Sequence, residues 1–194
     1  MKILFSDQNL IVCIKPPGLD SEHQVPEELK KQLPGSVFPV HRLDQNVGGL
    51  MVFARTARTA ADLSRAIQDG SFVKEYLALV HGTPEESGDW SDLLFKDSRK
   101  NKVYVVKRKR AGVKEARLSY TVLSGKDPTL VRIRLYTGRS HQIRVQFSSR
   151  GFPLVGDHKY GARDSEKVPF LYSCALCFPY NGQRITFESK PEWA

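Results

Sequence analysis

The sequence predicts an α+β fold in which short strands outnumber helices. Short apolar runs recur along the chain, each bounded by polar, proline or glycine residues, and this pattern is typical of strands. These runs cover residues 3–5, 10–14, 50–54, 72–80, 117–123, 130–136, 171–178 and 184–187. Three other stretches have helical spacing or helix-end signals instead. We therefore expect a sheet with a few flanking helices.

The three expected helices are marked at their ends. The first covers residues 26–33, because a proline suits its first turn and a proline–glycine pair follows it. The second begins after Thr56, a good N-cap, and closes at Gly70. Its apolar stripe consists of Ala60, Leu63 and Ile67. The third is expected to have Ser140 as its N-cap and to end at Gly151.

A polar stretch before the 50–54 run places one carboxylate between cations and glycines. The order is His41-Arg42-Leu43-Asp44, followed by the pair Gly48-Gly49. Residues 50–54 are apolar on both faces, so they should form a buried strand that fixes the position of Asp44. Two interpretations remain open from these residues: an ordinary turn that uses Asp44 to accept backbone hydrogen bonds, or a chemically active carboxylate.

A tyrosine in the 72–80 run shares a strand face with a basic residue. Alternate residues of a strand point the same way, so Tyr76 should lie on one face with Lys74 and Ala78. The ordinary interpretation is a core tyrosine whose hydroxyl has a hydrogen-bond partner.

Residues 137–144 form a second cluster of polar residues, at a predicted strand-to-helix corner. Arg139 stands just before the expected helix, His141 follows it, and Arg144 lies in the second turn. The free N–H groups of a helix N-terminus already favour anions. A corner with two arginines and a histidine therefore suits a phosphate or a carboxylate.

The positive charge of the chain is concentrated in one segment. There are 30 Lys and Arg against 21 Asp and Glu, which gives a net charge of +9. Residues 96–117 contain ten of the basic residues and only two acidic ones, interrupted by an apolar run typical of a hairpin. A solvated charged face is the plain alternative, but a phosphate-tracking surface is favoured. The candidates for contact with an RNA backbone are Lys107, Arg108, Lys109 and Arg110.

Cysteine usage and hydropathy favour the cytoplasm. Three cysteines are too few, and odd in number, for an extracellular disulfide framework. Cys174 and Cys177 have the spacing of half a zinc site, but no second pair completes it, so buried free thiols are expected. The first ten residues lack the apolar run of a signal peptide, and no later window has the length of a membrane span.

Four motifs, in this order, resemble those of one known family. They are His41-Arg42-Leu43-Asp44, Lys74-Glu75-Tyr76, residues 137–144 (Thr-Gly-Arg-Ser-His-Gln-Ile-Arg), and residues 151–157 together with Tyr160-Gly161. In order and spacing they resemble the RluA-type RNA pseudouridine synthases, and the resemblance covers almost the whole chain. It favours the chemical interpretation of Asp44 and Tyr76 over the ordinary one.

The resemblance implies a role for each polar residue of the motifs. Asp44 would be the catalytic aspartate, Tyr76 the tyrosine against the target base, and Arg144 the arginine that pairs with the aspartate. Arg42 would help to hold the flipped-out nucleotide. The remaining substrate-binding candidates are His41, Arg139 and His141.

The resemblance also implies the architecture and the reaction. It implies a mixed, mainly antiparallel central sheet with flanking helices and a central catalytic cleft, in a single catalytic domain covering residues 1–194. No N-terminal S4-type domain is expected, because the motifs begin too early for one. The implied reaction turns uridine into pseudouridine in ribosomal or transfer RNA, by a monomer, without metal or organic cofactor or obligate protein partner. Two positions depart from the family pattern: Val47-Gly48 replaces the usual Thr-Ser, and Tyr172 replaces a frequent histidine.

Two alternatives remain. A catalytically silent RNA-binding module would need only the basic segment. A hydrolase that cleaves an N-glycosidic bond would need a second carboxylate to activate water. Asp157 is the nearby motif acid, and its glycine-rich setting indicates a structural turn.

Overall fold

A computed structural model describes the whole chain, Met1–Ala194, and confirms the expected α+β class. The helices are α1 (Gln24–Gln32), α2 (Ala57–Gln68) and α3 (Gln142–Ser148), with a 3-10 helix at His158–Tyr160. The strands are β1 (Lys2–Ser6), β2 (Leu10–Lys15), β3 (Phe38–Pro39), β4 (Gly48–Ala54), β5 (Val73–Val80), β6 (Ser87–Asp97), β7 (Lys102–Val106), β8 (Val113–Ser124), β9 (Thr129–Leu135), β10 (Leu171–Tyr180) and β11 (Gln183–Glu188). The chain divides into two compact units: Met1–Lys74 with Tyr172–Ala194, and Glu75–Leu171.

The helix ends follow the sequence signals at two of the three helices. Pro26 lies in the first turn of α1, and Thr56 caps α2 by accepting a hydrogen bond from the Thr59 N–H at 3.1 Å. The predictions that Ser140 caps α3 and that the helix ends at Gly151 are both wrong, because the helix ends at Ser148. His141 occupies the N-cap position in the left-handed conformation, with φ of 50°. The side chain of Gln142 reaches back to accept the Arg139 N–H at 3.0 Å, and this bond fixes the corner before the helix.

The first unit is a sheet covered by α2. Its strands lie in the order β1-β2-β4-β10, with β3 paired to β4 and β11 to β10. Strand β4 is buried along its whole length, as its apolar residues on both faces predict, and it runs antiparallel to β2 and parallel to β10. Leu63 and Ala66 of α2 pack into the same core. Burial of a side chain such as Leu63 stabilises the fold by about 1.5–3 kcal/mol.

Gly49 is required where β4 meets β10. It has a φ of +117°, and a Cβ placed there would lie 2.4 Å from the Ser173 carbonyl oxygen. Any side chain would therefore force the two strands apart. This close approach sets the start of β4, directly after the loop that carries Asp44.

The cysteines of the first unit are thiols that form no disulfide, as expected. Cys174 and Cys177 lie on β10, one buried and the other half-buried, and Cys13 is buried on β2. Burial raises the pKa of Cys13 to about 12. None of the three is paired in a disulfide.

The second unit has the strand order β5-β9-β8-β6-β7. One face carries an aromatic cluster with α3, in which the Trp90 ring centroid lies 4.5 Å from that of Tyr120 and 4.6 Å from that of Phe147. Residues 142–147 of α3 are all buried. This short helix is therefore held by tertiary packing, since a free helix of this length would be unstable.

The basic segment is more complex than the predicted hairpin. Strands β7 and β8 both pair with β6, one on each side, so they are not hairpin partners of each other. Residues 107–112, the basic link, cross over β6 to join them. The Arg110 guanidinium lies 4.6 Å from the ring centroid of Phe95 on β6, which holds the basic link against the strand it crosses.

No helix of the structure combines the length and the apolar character needed to cross a membrane. No group of three or more His, Cys, Asp and Glu side chains is placed to hold a metal ion.

Candidate active site

Asp44 lies in a turn of the first unit whose flanking residues are both fixed. The Val47 N–H donates to the Asp44 carbonyl oxygen at 2.9 Å, which closes the turn. On the preceding side, the buried Ser21 hydroxyl donates to the Leu43 carbonyl at 2.9 Å and accepts from the Leu43 N–H at 3.2 Å. The residue before Asp44 therefore has both of its backbone polar groups satisfied by one side chain.

The residue after Asp44 is held in the same way by the end of β2. The Gln45 carbonyl accepts from the Gly18 N–H at 2.8 Å and from the Lys15 ammonium at 2.9 Å. The Gln45 side chain returns a hydrogen bond to the Gly18 carbonyl at 3.0 Å. With its neighbours on both sides anchored, the half-buried Asp44 has little freedom to move.

Lys15 is a site residue that sequence reasoning missed. Its side chain is fully buried, and its ammonium also donates to the Pro16 carbonyl at 2.9 Å. Burial lowers the pKa of Lys15 to about 8, while the nearby carboxylates of Asp20 and Asp44 act to raise it. Lys15 therefore places a positive charge close to Asp44. The available signal was a lysine that ends a buried strand, since a buried lysine requires partners.

His41 is held against β4. The Val52 N–H donates to its Nε2 at 3.1 Å, and its ring lies 5.7 Å from that of Phe72. The ring takes the place of a strand carbonyl, because β3 pairs with β4 only at residues 53 and 54. Burial, followed by the positive charge of Lys74, lowers the pKa of His41 to about 3. His41 is therefore neutral and anchors the start of the Asp44 stretch.

Arg42 is exposed beside it. Its Nη1 donates to the Glu22 carboxylate at 2.6 Å, in an ion pair whose side chains are 53% and 42% exposed. An exposed pair of this kind contributes little to stability. The guanidinium is therefore easily recruited by a competing anion.

Tyr76 lies on β5 with its side chain 5% exposed. Lys74 and Ala78 are buried too, as is Leu77 between Tyr76 and Ala78, so the face shared by Lys74, Tyr76 and Ala78 stays a prediction from the alternation.

Arg144 is buried in the second unit and forms a two-point ion pair. Its Nε donates to Asp157 Oδ2 at 2.7 Å and its Nη2 donates to Oδ1 at 2.8 Å. Asp157 is 1% exposed and lies in a turn, as its setting predicted. Its carboxylate has a role that the sequence did not show, because it fixes the plane of the guanidinium. Pairing of Arg144 with Asp44 stays a prediction.

Arg139 and His141 lie before α3 and contact different neighbours. The Arg139 Nε donates to the Glu115 carbonyl on β8 at 2.9 Å. The His141 Nδ1 lies 2.9 Å from the Tyr160 hydroxyl. The corner is thereby joined to the strand that follows the basic link and to the 3-10 helix.

The cations of the basic link are all exposed. Lys109 forms an ion pair with Glu115, and Arg110 lies over Phe95. Lys107 and Arg108 are exposed as well. These four side chains form a solvent-facing array that can follow a phosphate backbone.

Comparison with known proteins assigns the chain to a family. Residues 9–149 match the family model described as RNA pseudouridylate synthase. The ribosomal large subunit pseudouridine synthase D of Nitrosomonas europaea is 32% identical over 221 residues, covering 97% of this chain and 61% of that protein. The dual-specificity RNA pseudouridine synthase RluA of Vibrio vulnificus is 33% identical, covering 91% of this chain and 77% of that protein.

The chain belongs to the RluA-type RNA pseudouridine synthases. Solved structures of pseudouridine synthases also have its fold. Human RNA pseudouridylate synthase domain containing 1 has a TM-score of 0.85 at 22% identity, over 100% of this chain and 84% of that one. Human RNA pseudouridylate synthase domain containing 4 has a TM-score of 0.83 at 25% identity, over 99% and 89%. The family match spans Asp44, Tyr76 and Arg144, while the chain covers only about three fifths of the Nitrosomonas synthase.

Proposed function

We propose that this pseudouridine synthase relative isomerises uridine to pseudouridine in RNA, with Asp44 as the catalytic carboxylate. The observation that carries the proposal is the loop around Asp44. Its neighbours Leu43 and Gln45 are both pinned by backbone-directed hydrogen bonds, within the residues that match the family. An ordinary turn aspartate needs no such double anchoring, whereas a reacting group must be held in one geometry.

The reaction accounts for a lone carboxylate at this position. Isomerisation breaks the C1′–N1 bond, turns the base and joins C1′ to C5, and the C5 proton leaves. It involves no redox change, and the bonds that break and form do not call for a metal or an organic cofactor. It does need an ionised carboxylate at the sugar–base junction, as a nucleophile or as a stabiliser of positive charge. The Lys15 ammonium lies close enough to Asp44 for the two charges to interact.

The roles proposed for the other residues follow from their chemistry. Tyr76 would stack on the target base and take part in proton transfer, which phenylalanine could not do. Arg144 would favour the anionic carboxylate, and Arg42 would hold the flipped-out nucleotide. Arg139 and His141 would contact the substrate near the corner. His41 would act on the substrate only through the loop it anchors, since its ring is bonded to the β4 backbone.

The substrate proposed is ribosomal or transfer RNA. A target uridine must leave its stack at a cost of a few kcal/mol, and phosphate contacts offset that cost. Lys107, Arg108, Lys109 and Arg110 of the basic link offer those contacts. The names of the relatives, which include a ribosomal large subunit synthase and a dual-specificity RNA synthase, support an RNA substrate. We further propose that the protein acts as a cytoplasmic monomer, with residues 1–194 as one catalytic domain and a central cleft.

The test is release of tritium from RNA labelled at C5 of uridine, because isomerisation removes that atom whereas RNA binding and N-glycosidic hydrolysis leave it in place. Asp44→Asn should abolish release from unmodified ribosomal and transfer RNA transcripts. The RNA affinity of Asp44→Asn should stay within about a factor of two of the wild type, which corresponds to a difference in binding free energy of under about 0.5 kcal/mol. Asp62→Asn, which changes an exposed carboxylate of α2 in the same unit, is the matched control and should match the wild type.

Each rival function has its own outcome in this assay. A silent RNA-binding module would bind RNA without releasing tritium from any transcript. An N-glycosidic hydrolase would liberate free uracil, which chromatography of the same reactions detects. Equal loss of binding and release in Asp44→Asn would show that Asp44 supports the structure and has no chemical role.

A further inference from the structure

Tyr160, in the 3-10 helix of the second unit, contacts β7, His141 and Arg144. Its side chain is 5% exposed, and it packs in a small buried cluster with Leu94, Val103, Ala116 and Val145. Two of these residues, Val103 and Ala116, belong to the strands on either side of the basic link. Val145 belongs to α3, beside Arg144. Tyr160 is thus enclosed by the basic segment on one side and by the polar corner on the other.

The hydroxyl oxygen of Tyr160 contacts two groups, the backbone of β7 and the side chain of His141. The Val103 N–H of β7 donates to it at 2.8 Å, and His141 Nδ1 lies 2.9 Å away. A backbone N–H can only donate, so it uses an oxygen lone pair. Donation of the phenol proton to Nδ1 would give that proton an acceptor, and it requires a neutral His141 ring whose own proton is on Nε2.

The ring of Tyr160 lies beside the arginine of the corner. The Arg144 guanidinium is 5.1 Å from the ring centroid, and the Lys102 ammonium is 5.4 Å from it. Asp157, three residues before Tyr160, holds the same guanidinium by two hydrogen bonds. The Asp157 carboxylate therefore fixes the plane of the Arg144 guanidinium by bonding its edge. The Tyr160 ring attracts the same guanidinium through a cation–π interaction.

The 3-10 helix has a second attachment to the basic segment. The Lys159 ammonium donates to the Asn101 carbonyl at 3.0 Å, in the turn between β6 and β7. Asp157, Lys159 and Tyr160 together tie β7 to the corner that carries His141 and Arg144. Movement of either part would change the hydrogen-bonding of the other.

We propose that Tyr160 is a positioning residue of this synthase, whose hydroxyl fixes the protonation and orientation of His141 and whose ring fixes Arg144. The proposal rests on the proposed isomerase function and adds to it the residue that joins β7, the strand that leads into the basic link, to the corner that carries His141 and Arg144. Tyr160 itself need not touch the substrate. Its effect passes through His141 and Arg144, so it should change turnover more than RNA binding.

The test is Tyr160→Phe, which removes the hydroxyl and keeps the ring beside Arg144. The turnover number at saturating RNA should fall about three- to tenfold, the size expected for one lost buried hydrogen bond. The KM for RNA should change by less than about twofold, because the cations of the basic link are untouched. Tyr180→Phe is the matched control. It removes a half-buried hydroxyl that is bonded to Asp7 in the first unit, and it should match the wild type.

A second measurement follows His141 directly and needs no activity. Nitrogen-15 NMR of the folded wild type should show His141 Nδ1 unprotonated and Nε2 protonated. In Tyr160→Phe the His141 ring loses the hydroxyl beside Nδ1, and its tautomer signals should change. Tyr180→Phe should leave them unchanged.

The outcomes separate this inference from the proposed function. A wild-type His141 that carries its neutral-state proton on Nδ1 would overturn the inference. A turnover number for Tyr160→Phe within about twofold of the wild type would also overturn the inference. If Asp44→Asn is inactive in the same assay, the isomerase function would still stand. A wild type that forms no pseudouridine in any transcript would refute the proposed function, while the NMR result would still decide the order of donors.

Discussion

Mild acid should destabilise the fold through His41. Burial and the charge of Lys74 lower the pKa of His41 from 6.5 to about 3, and its Nδ1 is buried without a hydrogen-bond partner. Between these two values the unfolded chain binds a proton that the folded chain does not bind. Stability therefore falls as the pH drops through 6.5 toward 3. Each pH unit removes about 1.4 kcal/mol, so His41 accounts for a loss of about 2 kcal/mol between pH 6.5 and pH 5.

The assay is urea unfolding of the wild type and of His41→Gln at pH 7 and pH 5. Glutamine does not titrate, and it offers an oxygen near the position of Nε2 that can accept the Val52 N–H. The stability lost between the two pH values should be smaller in His41→Gln than in the wild type by about 2 kcal/mol. Other titrating groups cancel in this difference. His23→Gln, at an exposed histidine, is the control and should keep the wild-type loss. Equal pH dependence in the wild type and His41→Gln would refute the reasoning.

Two further predictions concern the RNA surface and the start of β4. Changing the exposed pair Lys107-Arg108 to glutamates should weaken RNA binding and make the slope of log K against log salt shallower by about two. The same change at the exposed pair Lys30-Lys31 of α1 is the control and should leave affinity and slope unaltered. An unchanged slope for the first pair would show that the basic link does not contact the RNA. Gly49→Ala should cost about 3 kcal/mol or more in urea unfolding, because its Cβ would meet the Ser173 backbone at 2.4 Å. Gly18 also has a positive φ, of +96°, but a Cβ there would meet open space, so Gly18→Ala should cost only about 1–2 kcal/mol. An equal loss at both glycines would contradict the packing argument.

Local patterns predicted the elements well where short-range physics decides them. The all-apolar run before Arg55 became the buried β4, and the Thr56 side chain caps α2 as expected. The start of the third helix was predicted less well. Ser140 is a good cap by propensity, but a hydrogen bond from the Arg139 N–H to the Gln142 side chain sets the corner. The path of residues 107–112 was also missed, because pairing between distant strands is not encoded in local alternation.

The candidate site shows the same division. The order of four motifs was enough to single out Asp44, Tyr76 and Arg144 and to indicate the family, which comparison with known proteins confirms. The partners of the site residues were not predicted. Lys15 and Asp157 lie far along the chain from the groups they serve, and nothing in their neighbouring residues indicates those contacts.

The sequence by itself determined the fold class, the position of the charge and the residues that carry the proposed chemistry, because these depend on composition, periodicity and motif order. Only the tertiary structure decided how those residues are held. The Ser21 hydroxyl hydrogen-bonds to the backbone of Leu43, the His41 ring accepts the Val52 N–H of β4 in place of a strand carbonyl, and the Tyr160 hydroxyl contacts both β7 and His141. Such bonds join segments brought together by packing of the whole chain, and short-range propensity carries no information about them.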